Sequence, residues 1–478
     1  MSEVQTKNIE TLAYVVHDAK QPFKLETVVL DELRDNEVLV DIQYSGICHT
    51  DLVFQQGEIK VCPYPAIFGH EGAGTVRAIG RKVKNKDITI GDTVLLSINY
   101  CEECKFCKAG HPADCIEGSR LHLFGVRRDG STAAKLKGSD TSVRFHFFGQ
   151  SSFAKMSFVD ETSIVKLPAG IPPEDVPFLA AMGCGYQTGA GTVMNILKPE
   201  PESSIVIFGL GTVGLTAIMA AKYMQVQQII AVDIFDHKMP FALEVGATHA
   251  INSRNVDNIV AHIKELTSGK GADYTVDCTG VPAVIENMLN MLSMRGTAAT
   301  VGVAPAGAKI TIDPLVFLLG SRIYKGCREG DSNPPVFIPQ LCKMQKEGHF
   351  PVEKLCRVYD YKDMESALHD LHQGKVTKPM ADDVLDAHRA KAGARIRRAA
   401  YRQIAAGLAA SRSRLDQREL NHFASRCRLQ LQHYQMSWSL KTADRAFVEL
   451  DKYFEDDILC KIVVATQWVG WSSGMILA

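Results

Sequence analysis

Residues 205–214 read IVIFGLGTVG, a short apolar run closed by Gly209, Gly211 and Gly214 in the pattern G-x-G-x-x-G. The flanks decide what this stretch is. IVIF (205–208) has the length of a buried strand, TAIMAAKYM (216–224) predicts a helix behind the glycines, and IIAVD (229–233) predicts a second strand ending at Asp233. Further on, MPFALEVGA (239–247) reads as a helix ending at Gly246, and YTVDC (274–278) and TAATVGV (297–303) read as strands. Strands alternating with helices predict an α/β fold with a doubly wound parallel sheet. Alone, the glycine pattern is a weak signal. Between a strand and a helix it becomes a dinucleotide fingerprint, because glycines let the backbone approach a pyrophosphate at the helix N-terminus. Asp233 is then placed to accept hydrogen bonds from the adenosine ribose, and its charge repels a 2′-phosphate, which favours NAD over NADP. The competing reading is a glycine-rich turn with no ligand. Residues 205–221 carry no charge, but a buried strand and a buried helix explain that run better than a membrane span does.

Before this region, residues 1–185 are rich in short alternating runs such as 38–42 (VLVDI) and in glycine turns, so this part reads as mostly β. After Lys325 the pattern is mixed again up to about Met380. The expected organisation is a first domain over 1–185, a dinucleotide-binding domain over 186–324, a return segment over 325–381 and a tail over 382–478. The tail differs in composition: residues 387–428 are rich in Arg and Ala, and Trp438, Trp468 and Trp471 are the only tryptophans of the chain. An added partner-binding helix, a packed extension and appended non-native sequence compete as its explanation, and the abrupt shift favours the last.

A net charge of -1 provides no basic field for nucleic acid or an anionic membrane, and 46% hydrophobic with 22% charged residues fits a soluble globular chain. The start, MSEVQTKNIE, lacks the apolar core of a secretory signal. The chain has 13 cysteines, an odd number, of which Cys101, Cys104, Cys107 and Cys115 crowd into one segment. Metal binding plus buried free thiols in a reducing, cytoplasmic setting is the expectation, not a disulfide framework. The spacing C-x2-C-x2-C-x7-C lets four thiolates wrap one tetrahedral zinc ion, with an iron–sulfur cluster as the competing occupant. A closed all-sulfur site leaves no open coordination position, so its role is structural.

GICHTD (46–51), GHEGAG (69–74) and GCG (183–185) contribute Cys48, His70 and Cys184. Spacing does not bring these residues together, and each alone reads as a buried structural residue. With the glycine loop and the cysteine lobe, in that order along the chain, they resemble the zinc-containing medium-chain alcohol dehydrogenases; GHEGAGTVRAIGRKV (69–83) is similar to that family's zinc signature. The motif FFGQSSFA (147–154) resembles the aryl- or benzyl-alcohol dehydrogenase branch.

The resemblance implies a GroES-like, mostly-β catalytic domain followed by a Rossmann domain. It implies two zinc ions per chain, the catalytic one on Cys48, His70 and Cys184 with Glu71 beside it, and a fourth position for water or alcohol. The implied reaction moves hydride between a primary alcohol, aryl or allylic, and NAD. Asp51 would orient His70; Thr50 would take the substrate proton; His49 and Lys378 would contact cofactor phosphate, and Lys238 the ribose. Val53 stands where many relatives have a histidine, so the proton relay would stop at the cofactor ribose. Ser97 stands where many place a bulky aromatic, which would leave room for a ring in the substrate channel. A homodimer or homotetramer is implied. The readings in competition are a polyol or glutathione-adduct dehydrogenase of the same fold, and a non-catalytic protein that binds NAD or nucleic acid.

Overall fold

A computed structural model describes residues 4–383 of the chain; the predicted tail, apart from Asp382 and Asp383, lies outside the described residues. Three sheets organise the described part. In the first, Lys7–Val16 pairs antiparallel with Lys24–Glu32, with Ile9 opposite Leu30 and Val15 opposite Lys24. Burial alternates from Ile9 to Ala13 and then becomes continuous, at the point where the strand gains Ala66–Ile67 as a second neighbour. That is how a half-buried strand turns into an internal one.

The second sheet positions the site. Its central strand, Glu37–Gly46, is buried at nine of ten positions, because Gly72–Ile79 pairs along one edge and Met156–Asp160 and Lys378–Asp382 along the other. The last of these strands comes from the end of the described chain and sets Met380 opposite Gly46. It also receives a hydrogen bond from Ile47 N to the Pro379 carbonyl at 3.0 Å, which fixes the backbone just before Cys48.

The third sheet is parallel, in the spatial order 249–252, 228–233, 204–208, 272–277, 292–300, 323–326. The central strand Ser204–Phe208 is buried throughout, as expected of a strand with both faces covered. The fingerprint helix runs Thr212–Tyr223, four residues earlier than its apolar run suggests, because the Gly211 N-cap already starts it. The next helix, Met239–Val245, stops at Gly246 with φ +135°. One expected strand is shifted: the run predicted over 297–303 is observed as Leu292–Thr300. It ends early because Val301 N and Gly302 N both donate to the Asp277 carbonyl (2.9 and 3.1 Å), which turns the chain out of the sheet. The parallel sheet runs to Gly326, and Cys356–Asp360 and Lys378–Asp382 belong to the second sheet. Among the described residues no helix is long and apolar enough to cross a membrane.

Candidate active site and zinc lobe

The four cysteines of the lobe meet. Cys104 caps the short helix Lys105–Lys108, and Cys107 N donates to the Cys104 sulfur at 3.5 Å. Cys104 N donates to the Cys101 sulfur at 3.3 Å, and Cys101 N to the Cys115 sulfur at 3.4 Å. These backbone donors stabilise thiolate charge; those of Cys107 and Ile116 bring the Cys104 thiol down to about 6. The sulfurs of Cys104 and Cys107 are 3.5 Å apart, and those of Cys101 and Cys107 3.8 Å. A tetrahedron with Zn–S bonds of about 2.3 Å has sulfur–sulfur edges of about 3.8 Å. A four-iron cluster would spread the sulfurs further, since each thiolate then sits on a different iron. The lobe therefore fits one zinc ion.

The second group is assembled from three distant segments. Cys48 leaves the central strand and caps the helix His49–Gln55. His70 and Glu71 directly precede Gly72–Ile79, whose Gly72 lies opposite Ser45, and Gly46 N donates to the Glu71 carbonyl at 2.9 Å. Cys184 stands at the start of the helix Gly185–Gly191. That helix crosses the fingerprint helix at close range: a Cβ on Gly189 would lie 2.1 Å from the Val213 carbonyl oxygen. The ligand atoms of Cys48, His70, Glu71 and Cys184 all lie within 4.8 Å of one another.

Asp51 does two things. Its Oδ2 accepts from Cys48 N at 3.1 Å, as a capping group. Its Oδ1 accepts from Gly69 N at 2.9 Å and lies 3.0 Å from His70 Nδ1. A carboxylate beside Nδ1 places the ring proton there, so Nε2 presents a lone pair. That Nε2 is buried with no hydrogen-bond partner and belongs to the cluster of ligand atoms. An orphaned imidazole nitrogen between two thiols fits zinc. The hydrogen bond between the two thiols is the largest influence on each, holding Cys48 well below its ordinary range and Cys184 well above it. His70, Glu71 and Cys184 are buried, whereas Cys48 and Thr50 are partly exposed. The Thr50 hydroxyl lies 3.7 Å from the Cys48 sulfur, on this open side. His49 is exposed beside it, and Val53 is partly exposed on the same helix.

Two of the expected residues have buried protein partners. Lys378, expected on a cofactor phosphate, is 2% exposed and donates to both oxygens of Glu71 at 2.9 and 2.8 Å and toward the Ile47 carbonyl at 3.4 Å. The return strand carries it underneath the site, and Glu71, which lies beside the other ligand atoms as expected, is its buried partner. Ser97 is fully buried and lines no open channel. Its hydroxyl donates to the Gly183 carbonyl at 2.8 Å and accepts from Gln187 Nε2 at 3.0 Å, bracing the turn that carries Cys184.

Asp233 closes the glycine loop. Its Oδ2 accepts from Leu210 N at 2.7 Å and from Lys238 Nζ at 3.1 Å, and its Oδ1 accepts from Ile234 N at 2.7 Å. A Cβ on Gly214 would sit 1.9 Å from the Gly209 carbonyl oxygen, so loop and helix meet only through glycine there. A Cβ on Gly211 would meet nothing within 4 Å, which leaves the cradle in front of the helix N-terminus open for a pyrophosphate.

Several supporting residues carry no separate sequence signal. Gln150, inside the quoted 147–154 motif, accepts from Gly72 N at 3.0 Å and donates to the carbonyls of His70 (2.9 Å) and Ser97 (3.1 Å). It ties together the two loops that carry His70 and brace Cys184. Phe148, at φ +52°, stacks on the His70 ring with centroids 4.6 Å apart. The strained backbone of that motif thus packs around the histidine.

Known proteins bear out this architecture. Residues 34–169 match the alcohol dehydrogenase GroES-like domain and residues 212–341 the zinc-binding dehydrogenase domain. The geraniol dehydrogenase of Castellaniella defragrans is 35% identical over 373 residues, covering 78% of this chain and 97% of that one. The S-(hydroxymethyl)glutathione dehydrogenase of Komagataella pastoris is 33% identical, covering 77% and 96%. The crystal structure of benzyl alcohol dehydrogenase from Acinetobacter calcoaceticus superposes with a TM-score of 0.73 at 36% identity, covering 78% and 99%. With both zinc-binding clusters, the glycine loop and both domains in place, the chain is a zinc-dependent enzyme of the medium-chain alcohol dehydrogenase family.

Proposed function

We propose that the chain interconverts primary aryl or allylic alcohols and their aldehydes with NAD. The observation that carries this reading is the asymmetry of the site: three ligand atoms converge from a buried side, and the remaining side opens at Cys48 and the Thr50 hydroxyl. When bound there, zinc supplies Lewis acidity toward a hydroxyl or carbonyl oxygen, and NAD supplies the hydride acceptor. The protein groups do the rest. Asp51 keeps the proton on His70 Nδ1, so that Nε2 remains a ligand. Thr50 is placed to take a hydroxyl proton on the open side. Asp233, now paired with Lys238, would hold the adenosine ribose of NAD. Named relatives act on an allylic and a benzylic alcohol, which supports the substrate class. Relatives named for S-(hydroxymethyl)glutathione support a second reading within the same chemistry.

Initial rates of NADH formation from benzyl alcohol, geraniol, S-(hydroxymethyl)glutathione and ethanol test the proposal. The aryl and allylic alcohols are expected to exceed ethanol in kcat/KM, and equal efficiency on all four would sink the substrate class. Thr50→Ala is expected to slow oxidation by about 10²–10⁴-fold. Normal turnover of that variant near neutral pH would remove Thr50 from the proton path.

We also propose that the chain self-associates through the edge of the parallel sheet. Ile323–Gly326 is its edge strand, and Leu318 and Leu319 beside it are 73% and 67% exposed. A monomer by sedimentation, or an oligomer unaffected by Leu318→Lys, would refute this.

A further inference from the structure

We infer that Gln187 is a positioning residue of the catalytic zinc site: its buried amide ties the turn that carries Cys184 to Ser97 on one side and to the turn 329–332 on the other, and so governs how firmly that site alone holds its metal. Asp51 fixes two of the ligand segments, through Cys48 N and His70 Nδ1. Cys184 arrives on another segment and has its own support. It stands between Ala180–Gly183 and Gly185–Gly191 with a non-helical backbone (φ -142°, ψ -94°), so the place of its sulfur follows from what holds the residues on either side.

Gln187 follows Cys184 within one helical turn and is fully buried. Its Nε2 donates to the Gly183 carbonyl at 2.7 Å and to the Ser97 hydroxyl at 3.0 Å; a further contact, to Glu329 Oε2, is longer at 3.4 Å. A carbonyl only accepts, so the nitrogen end of the amide is the one that faces Gly183. The oxygen end then accepts from the Ser332 hydroxyl at 2.9 Å, and Ser332 is fully buried as well. Both ends of one side chain are thus engaged, on residues 97 and 183 at one end and 332 at the other.

The turn that supplies Ser332 meets the same helix through bare backbone. A Cβ on Gly191 would lie 2.2 Å from the Gly330 carbonyl oxygen, and a Cβ on Gly330 would lie 2.2 Å from the Gln187 carbonyl oxygen. Asn195 Nδ2 donates to that Gly330 carbonyl at 2.9 Å. Glu329 and Asp331 are left-handed, with φ +49° and +45°, and residues with a side chain persist there only when their surroundings hold them. The Thr188 hydroxyl also bonds the Cys184 carbonyl, at 2.8 Å, but both belong to one helix. Gln187 instead carries the position of the Cys184 turn to other parts of the fold. Hydrogen bonds that fix the segment of a metal ligand raise metal affinity, because the site is formed in advance and binding need not order it.

The test follows zinc release from the zinc-loaded full chain into excess EDTA, for wild type, Gln187→Met and Ser332→Ala. The phase that disappears in Cys48→Ser belongs to the catalytic site, and the lobe zinc is the control within each molecule. Gln187→Met keeps the length of the side chain without its hydrogen bonds, while Ser97 still donates to the Gly183 carbonyl. It is expected to speed release from the catalytic site by about tenfold or more and to leave the lobe rate unchanged. Ser332→Ala removes only the partner of Oε1 and should speed the same phase by a smaller factor; it decides the question if Gln187→Met fails to fold. Equal acceleration of both zincs, the mark of a purely structural role, overturns the positioning role, and so does a catalytic-site rate that matches wild type in either variant. A wild-type chain that holds a single zinc overturns the catalytic metal site and this role with it. The readout is metal, so these outcomes stand apart from which alcohol the enzyme oxidises.

Discussion

Lys378→Met separates two roles for this residue. In the structure its ammonium makes two bonds to Glu71 (2.9 and 2.8 Å), and Glu71 is fully buried. Removing the ammonium leaves Glu71 with one long contact, from Gly185 N at 3.4 Å. Breaking a buried ion pair from one side costs about 3–5 kcal/mol, because a charge remains in a medium that cannot solvate it. Replacing both partners is often nearly neutral, so Glu71→Gln combined with Lys378→Met should recover much of the loss, with a coupling of about 2 kcal/mol or more. At about 2 °C per kcal/mol for a domain of this size, the single variant should melt roughly 6–10 °C lower than wild type. The assay is thermal melting of all four proteins of the cycle, with NAD titration and zinc content measured on the same samples. A Lys378→Met protein that melts like wild type but binds NAD much more weakly would refute the reasoning, and would place the ammonium on the cofactor phosphate instead.

Three further outcomes are expected. Cys104→Ser should mainly lower the melting temperature, because a structural zinc contributes folding energy, whereas Cys48→Ser should abolish turnover in a protein that keeps its lobe zinc; a stably folded Cys48→Ser enzyme with full turnover would overturn the catalytic assignment. Asp233→Ser should shift the NADP-to-NAD ratio of kcat/KM by about tenfold, or about 1.4 kcal/mol, and an unchanged ratio would show that the carboxylate does not meet the ribose. Burial opposes ionisation of Glu37, but the contacts of His146 and Arg127 outweigh it and bring its carboxyl from 4.5 down to about 2. Its folded value is depressed, so this stability is fully present above about pH 4.5 and is lost as pH falls toward 2. Glu37→Gln should therefore be less stable than wild type near neutral pH, and the gap should narrow by about 3 kcal/mol in acid. A gap that is constant between pH 5 and pH 2 would show that Glu37 is not held this way.

The parts legible in the sequence are those whose geometry is local. Four cysteines within one short loop readily close on one another, and the structure brings their sulfurs within 4.8 Å of one another. The glycine loop lies between a strand and the helix it opens, so the cradle at Gly211 follows from chain order, as does the place of Asp233 at the end of the neighbouring strand. Cys48, His70 and Cys184 became readable as a set only through family resemblance. Their meeting depends on strand register, Ser45 opposite Gly72, and on a glycine crossing at Gly189, and neither is encoded in local spacing.

The sequence by itself determined the α/β class, the zinc lobe and the phosphate cradle, because short loops and single βαβ units confine their side chains. Only the tertiary structure decided that Lys378 serves Glu71, that Ser97 braces Gly183, and that Arg328 donates to His122. In each case a strand or turn from far along the chain delivers the partner. Which polar groups a buried charge meets is set by how sheets pack, and no pattern of residue types within one segment carries that information.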